Sequence, residues 1–230
     1  MEQASEKELH DALSRLGVTG ADSDTQLRQL YDSSADTQKN RLVVALGDTP
    51  KGHGLSLLQD IASDRNAPTD RRCAAVVALA KQLGVESSPL LRECLRDDEP
   101  VRNYAIQGLA AVGDDGAWPE VLELLTAEIS VQAPIPPFAL QWETLSLQST
   151  VLPAICYLGR HLTVAGRRER VTQMVRDNWS RLYTAEQRWF DQFWPECNPG
   201  NPERNSGYPD PKALAEWAGG PLLKIARPER

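Results

Sequence analysis

Two neighbouring segments of the chain carry the same pattern of residues, and their spacing is what most constrains the fold. Residues 57–84 read LLQDIASDRNAPTDRRCAAVVALAKQLG, and residues 90–113 read LLRECLRDDEPVRNYAIQGLAAVG. Matching positions lie 30 residues apart, namely Arg72 and Arg102, Ala75 and Ala105, Leu79 and Leu109, and Ala80 and Ala110. A fixed period of this length predicts a stacked array of helix pairs, because one pair cannot bury its apolar stripe alone.

Helical periodicity extends over most of the remaining sequence. Apolar residues recur three and four positions apart, and no segment alternates apolar with polar residues as a half-buried strand does. The pattern therefore predicts an all-α protein. The predicted helices span residues 5–17, 24–46 with a break near Ser33 and Ser34, 54–64, 68–83, 87–97, 100–112, 117–129, 138–164 with a kink or split at Pro153, 166–182, 184–194 and 211–218.

The second of the two matching segments resembles one repeat of the HEAT family. The positions that carry the resemblance are Leu90, Leu91, Asp97, Pro100, Val101, Arg102, Ala105, Leu109, Ala110 and Gly113. The resemblance implies a right-handed α–α superhelix, a HEAT-like solenoid, in which the second helices line a concave surface. It is good over residues 57–113. By continuation we expect HEAT-like helix pairs over 1–130 of a single domain that spans 1–230.

The same resemblance implies a structural role for Arg72 and Arg102. In HEAT repeats an arginine at this place bonds to an aspartate of its own or the next repeat, and Asp64, Asp97 and Asp98 are available as partners. Asp97 and Asp98 also stand where first-turn amides need an acceptor. We therefore expect substitution of either arginine to lower stability.

Residues 131–230 are expected to form an irregular helical region that is rich in aromatic side chains. All six tryptophans lie between Trp118 and Trp217. We expect the densest aromatic group to close the end of the core, with exposure as a recognition surface the alternative. Its members are Trp179, Tyr183, Trp189, Phe190, Phe193 and Trp194. Residues 195–211 are rich in Pro, Gly and Asn and are predicted to form a loop.

Charge and cysteine usage exclude several classes of protein. The formal net charge of −7 and the pI of about 5.1 disfavour nucleic-acid binding, because phosphate contacts need a basic surface. The first residues do not resemble a signal peptide and no apolar stretch would span a membrane, so we expect a cytoplasmic protein. The four cysteines form no CxxC pair and have no histidines at ligand spacing, so we expect no metal or other cofactor.

The candidate partner-binding residues are polar or aromatic side chains outside the predicted core positions. Asn103 and Gln107 lie four apart on a second helix, where they either contact a partner or are simply solvated. Arg167 and Arg170 share a helix face. The complete set is Asn103, Gln107, Trp142, Arg160, His161, Arg167 and Arg170.

Six arginines lie between Arg160 and Arg181. This cluster is expected either to hold a phosphate or an acidic protein, or to form a solvated face with ion pairs to Glu169 and Asp177. The second interpretation is favoured, because surface arginines on a helix usually pair with nearby carboxylates.

The sequence contains no recognisable catalytic arrangement. His10, His53 and His161 are far apart in sequence, and the chain has no P-loop, no GxGxxG and no HExxH motif. We therefore expect a non-catalytic protein-binding module or adaptor, in one form an inhibitor or immunity-type protein for a basic partner. The alternatives are a HEAT-like-repeat DNA glycosylase acting on alkylated DNA, and an accessory role in bilin attachment.

Overall fold

The structure is a computed structural model that describes residues 23–49, 52–131, 149 and 151–201. These residues fall into two compact units that divide between Gly108 and Leu109. Unit 1 precedes the boundary and unit 2 follows it. No strand occurs in the described part of the chain, which confirms the all-α prediction.

Unit 1 is built from short helices that follow each other closely in sequence. They are α1 (Ser23–Ser33), α2 (Asp36–Leu46), α3 (Leu55–Ser63), α4 (Thr69–Leu83), α5 (Ser88–Glu93) and α6 (Glu99–Val112), the last of which contains the boundary. Short 3₁₀ turns at Gly84–Ser87 and Cys94–Arg96 flank α5. These bounds agree closely with the helices predicted between residues 24 and 112.

The predicted break between α1 and α2 is confirmed, and two serine hydroxyls account for it. Ser34 Oγ donates to the carbonyl of Leu30 at 2.6 Å, and Ser33 Oγ donates to the carbonyl of Gln29 at 2.8 Å. Side chains that bond to carbonyls three or four residues back compete with the backbone amides that would continue a helix. The chain therefore leaves α1 at Ser33 and begins α2 at Asp36.

Each of the first two helices of unit 1 packs against the helix that comes two helices later in the chain. Helix α1 packs against α3, and α2 packs against α4, while α4 also packs against α3. The core between them contains Leu42, Leu46, Leu58 and Leu79, each at most 1% exposed. Burial of leucine side chains is the main contribution to the stability of such a unit, at about 1.5–3 kcal/mol each.

Small residues allow the second helices of unit 1 to approach closely. A Cβ on Gly47 would lie 3.1 Å from the Cα of Ala78, and one on Gly108 would lie 3.2 Å from a methyl of Leu91. The matched alanines Ala75 and Ala105 are fully buried, as their repeat positions predict. The backbone approach is thus close where the end of α2 meets α4, whereas at Gly108 it is the Leu91 side chain that comes close.

Unit 2 is built from helices of 10 to 14 residues and contains more aromatic side chains. Its helices are α7 (Trp118–Val131), α8 (Val151–Arg160), α9 (Arg167–Asp177) and α10 (Thr184–Phe193), with 3₁₀ turns at Trp179–Arg181 and Pro195–Cys197. Helix α8 packs against α7. The predicted helices at 117–129, 166–182 and 184–194 correspond to α7, α9 with its following turn, and α10.

At Pro153, where a kink or a split of the predicted helix 138–164 was expected, the structure has the start of a helix. Helix α8 begins at Val151, so Pro153 lies in its first turn, where a missing N–H removes no helical hydrogen bond. Ser149 Oγ accepts the amide of Leu152 at 3.1 Å and satisfies a first-turn donor. Proline therefore marks the start of a helix here and does not bend one.

The aromatic group of unit 2 is largely structural, as predicted. Trp189, Phe190 and Trp194 are fully buried, and Trp179 and Phe193 are partly buried. The rings of Trp189 and Phe190 meet edge to face with centroids 5.3 Å apart, a favourable geometry for aromatic pairs. That arrangement lets two consecutive residues of α10 both enter the core.

Part of the predicted loop 195–211 is folded. Pro195 and Cys197 are buried within the 3₁₀ turn that follows α10, so the prediction of a loop is wrong for these residues. The composition of this segment predicted a loop, but proline also fits the first turn of a helix, which is where Pro195 lies. Residues 202–211, the predicted helices 5–17 and 211–218, and Trp142 lie outside the described residues.

All four cysteines are buried and none forms a disulfide. Burial raises the pKa of the Cys73 and Cys94 thiols to about 11, because a thiolate is poorly solvated in the core. The four cysteines are thus small residues of the core. Among the described residues, no helix combines the length and the apolar character needed to cross a membrane.

Candidate functional site

A buried ion pair joins the helix α4 arginine to the turn that precedes α6. Arg72 is 3% exposed, and its guanidinium donates to the carbonyl of Ala62 at 3.0 and 3.1 Å and to Asp97 at 2.7 Å. Arg65 contacts the other carboxylate oxygen of Asp97 at 3.5 Å. Arg72 thus bonds to Asp97, one of the three aspartates expected as partners, and the effect of these residues on stability stays a prediction.

The equivalent role for Arg102 stays a prediction. Its side chain is half-buried, and its backbone amide donates to the carbonyl of Asp98 at 2.9 Å, at the start of α6. Asp97, in the turn before α6, contacts Arg65 and Arg72. It therefore links the helix pair α3–α4 to the pair α5–α6.

Arg71, which the sequence did not single out, makes the complementary connection in the other direction. Its guanidinium donates to Asn40 at 2.7 Å and to Asp36 at 3.1 Å, both in the preceding helix pair. Arg72, the next residue, bonds to Asp97 in the following pair. The consecutive arginines at the start of α4 were the available signal for this arrangement.

Gln82 is a second residue that sequence reasoning missed. Its buried amide donates to the carbonyls of Leu46 and His53 at 2.6 and 2.9 Å and accepts the amide of Gly52 at 3.3 Å. It satisfies backbone groups of the turn between α2 and α3 that would otherwise be buried without partners. Its role is structural, and it removes one polar side chain from the candidates for partner binding.

The outward side of the second helices of unit 1 carries a mixture of apolar and amide side chains. We define the second-helix face by Arg41 and Val44 of α2, Ala74 and Val77 of α4, and Asn103 and Gln107 of α6. Val44 is 55% exposed, and the other members are partly exposed. Neither amide side chain, Asn103 or Gln107, hydrogen-bonds to another residue in the described ranges. Both are therefore available to a partner.

Arg167 in unit 2 is held in place by three different contacts. Its Nη1 donates to Asp115 at 3.1 Å and to the carbonyl of His161 at 3.0 Å. Its guanidinium carbon also lies 4.9 Å from the ring centroid of Trp118, whose Nε1 donates to the carbonyl of Leu158 at 3.3 Å. Arg167 is thus mainly a structural residue that fixes the start of α9.

Arg170 stacks on the same indole from the next turn of α9. Its guanidinium carbon lies 5.4 Å from the centroid of Trp118, and the side chain is exposed to solvent. The structure brings Arg167 and Arg170 together on one helix face, as their spacing predicts. Arg160 is exposed at the end of α8.

The ion pairs predicted for the arginine cluster with Glu169 and Asp177 are wrong. Arg168 instead forms a two-point contact with Glu196, at 2.8 and 3.1 Å, and Asp177 accepts a hydrogen bond from Gln173 at 2.6 Å. Arg168 on α9 faces the 3₁₀ turn at Pro195–Cys197. Its partner Glu196 lies 28 residues away in sequence, so the pairing could not be predicted from neighbouring residues.

His161 is less accessible than a surface ligand would be. Its Nε2 is buried without a hydrogen-bond partner among the described residues, and its ring packs on Tyr157 with centroids 4.9 Å apart. Burial lowers the pKa of His161, with Asp115 opposing this effect and Arg160 and Arg167 adding to it. The imidazole is therefore neutral at pH 7 and unsuited to attracting an anion.

Two surface clefts are lined almost entirely by polar side chains. One in unit 2, of about 260 Å³, is lined by Arg168, Glu169, Thr172, Gln173, Arg176 and Glu196. One in unit 1, of about 270 Å³, is lined by Asp24, Thr25, Arg28, Gln29, Asp32 and Ser56. Neither lining contains a histidine or a cysteine. No group of three or more possible metal ligands exists in the part of the chain that the structure describes.

Comparisons with known proteins identify no relative of this chain. No family model matches it, and neither the curated proteins nor the solved structures contain a match.

Proposed function

We propose that this protein is a non-catalytic protein-binding module, built as a HEAT-like right-handed superhelix that binds its partner through the second-helix face. The observation that carries the proposal is the packing of unit 1, where α1 contacts α3 and α2 contacts α4. Between the first two helix pairs, the first helix thus packs on the first helix and the second on the second, as stacked repeats require.

Polar contacts between successive pairs support the same interpretation. Asn40 bonds to Asp70, Asp24 accepts the amide of Gly54, and Arg72 bonds to Asp97. The first two contacts span 30 residues and the third spans 25. Contacts at about one repeat period fix the angle between pairs, which a regular binding surface needs.

The composition of the second-helix face suits a protein partner. An exposed valine beside partly exposed apolar and amide side chains gives both apolar area and hydrogen-bonding groups, the usual combination in protein interfaces. Neither polar cleft has the enclosed apolar lining that is typical of small-molecule sites.

The charge of the chain favours a basic partner, as an inhibitor or immunity-type protein would have. The net charge is −7, and many carboxylates of unit 1 are exposed. These are Asp32, Asp36, Asp48, Asp60, Asp64, Asp70, Glu86, Glu93, Asp98 and Glu99. Complementary charge accelerates association with an oppositely charged protein.

Site-specific photo-crosslinking tests the proposed surface. A photoreactive phenylalanine analogue at Gln107, on the second-helix face, is compared with the same analogue at Gln59, an exposed residue of the first helix α3. In host cells the analogue at Gln107 is expected to crosslink a discrete protein and that at Gln59 to do so much less. Equal crosslinking at both positions, or none at Gln107, would argue against the proposal.

A glycosylase assay separates the alternative function. Duplex DNA containing 7-methylguanine is incubated with the purified protein, and base release is measured. We expect no release above background, because four of the six arginines between 160 and 181 donate to protein carboxylates or carbonyls. Release that is lost on substitution of a residue of this chain would establish the enzyme instead.

A further inference from the structure

The arginines of α9 and the turn after it separate into two groups by what they contact. Arg167, Arg168, Arg176 and Arg181 each donate to a carboxylate or backbone carbonyl of the protein. Arg170 makes no hydrogen bond or ion pair within the described residues, although it is exposed and lies over Trp118. Its guanidinium is positioned by packing and not by an anion.

Contact with an indole does not use up the N–H groups of a guanidinium, and those of the exposed Arg170 that face away from the ring are open to solvent. Such N–H groups suit the paired oxygens of a phosphoryl group or carboxylate. Trp118 is itself fixed, at 1% exposure and with its Nε1 bonded to Leu158. Less side-chain entropy is therefore lost when Arg170 binds an anion than for a freely rotating arginine.

The start of α9 is a further feature that favours an anion beside Arg170, whereas Arg167, over the same ring, has its charge offset by Asp115. Helix α9 begins after Gly166, which has a positive φ of 80° and offers no side-chain cap to the first-turn amides. A helix start without a cap adds partial positive charge and donors.

We propose that Arg170, supported by Trp118 and the first turn of α9, binds a phosphoryl group. Glu169 is the neighbouring carboxylate, and successive helical residues diverge by about 100°, so it need not face the same ligand. A phosphoryl group can take two bonds from the guanidinium and still offer an oxygen to the helix start. This site does not depend on the proposed role of the second-helix face.

Titration with inorganic phosphate, followed by NMR, tests the site directly. At constant ionic strength and pH 7.5, the Arg170 Nε–H and Trp118 Nε1–H signals should shift together and saturate. Arg170→Gln should weaken binding by about tenfold, the effect of losing one good charge-assisted interaction. Arg188→Gln is the matched control, since Arg188 is an exposed arginine of α10 without an aromatic partner, and it should leave binding unchanged.

Three ligands then distinguish the source of the anion. A phosphoserine peptide should bind at least as tightly as inorganic phosphate, and acetate should cause less than half of its shift at equal concentration. The proposal is overturned if acetate matches phosphate, or if Arg170→Gln binds phosphate like the unsubstituted protein. It is also overturned if a short DNA duplex outcompetes the phosphoserine peptide at Arg170, because the site would then recognise phosphodiesters.

Discussion

Arg72 and Asp97 form an ion pair with a 2.7 Å contact, in which the two side chains are only 4% and 11% exposed. Both guanidinium and carboxylate have other partners, Ala62 and Arg65, so the pair belongs to a small buried network. A charge removed from water in this way is destabilising as soon as its partner is lost. The Arg72–Asp97 contact therefore links helices α3 and α4 to helices α5 and α6, and substitution of either residue should destabilise the fold.

Loss of this pair should be costly for folding. We expect Asp97→Ala to lower the free energy of unfolding by about 3 kcal/mol, because the Arg72 charge stays buried without its carboxylate. Urea unfolding followed by circular dichroism measures the change. Arg28→Ala, which removes a pair whose side chains are 43% and 64% exposed, should cost less than about 1 kcal/mol. Similar losses in the two variants would contradict the buried network.

Stability should fall in mild acid because of His161. Burial lowers the pKa of this imidazole in the folded protein below its unfolded value of about 6.5. The unfolded state therefore takes up the proton first, so stability is fully present above about pH 6.5 and declines as pH falls toward the folded pKa. His161→Gln should flatten this part of the pH profile in urea unfolding. An unchanged profile in the variant would assign the effect to other groups.

We expect Gly47→Ala and Gly108→Ala to change the free energy of unfolding by different amounts, because the two glycines have different neighbours. Gly47→Ala places a Cβ 3.1 Å from the backbone of Ala78, which cannot yield without moving α4, and should cost about 1–3 kcal/mol. Gly108→Ala meets only side-chain atoms, the methyls of Leu91 and, at 3.6 Å, the Cβ of Ala80, and alanine gains about 0.5–1 kcal/mol of helix propensity, so its net effect should be small. Thermal unfolding of both variants measures the difference, and a larger loss for Gly108→Ala would contradict the described packing.

The native thiols should be unreactive. All four cysteines are at most 6% exposed, and burial raises the pKa of Cys73 and Cys94 to about 11. At pH 8 a thiol reagent such as Ellman's should modify none of them rapidly in the folded protein and all four in guanidinium chloride. Rapid modification of one thiol in the native protein would show that the region around it opens.

The sequence predicted the parts of the fold that arise from local pattern. Helix bounds from α1 to α7 and the burial of Ala75 and Ala105 follow from apolar periodicity and the 30-residue match. The partners of Arg168 and Arg71 could not be predicted, because they depend on which distant segments pack together. The sequence left open whether Pro153 kinks or splits a helix for a related reason, since the effect of a proline depends on where the preceding residues stop.

For the candidate binding residues too, the sequence predicted exposure in some cases but not the contacts with distant residues. Arg167 and His161 looked like surface groups in the sequence, yet the structure gives them internal contacts with Asp115 and Tyr157. Arg170 is exposed as expected, but its stacking on Trp118 has no signal in a sequence where the two residues are 52 positions apart (170 − 118).

The affinity of the crosslinked partner for two matched valine variants tests the central claim most directly. Val44, 55% exposed, lies on the second-helix face, and Val85, 61% exposed, lies in the 3₁₀ turn after α4. If the second-helix face binds the partner, Val44→Arg should weaken binding at least tenfold in isothermal titration calorimetry, or about 1.4 kcal/mol. Val85→Arg should stay within about twofold of the unsubstituted protein. Equal losses for the two variants, or a loss for Val85→Arg alone, would contradict binding through the second-helix face.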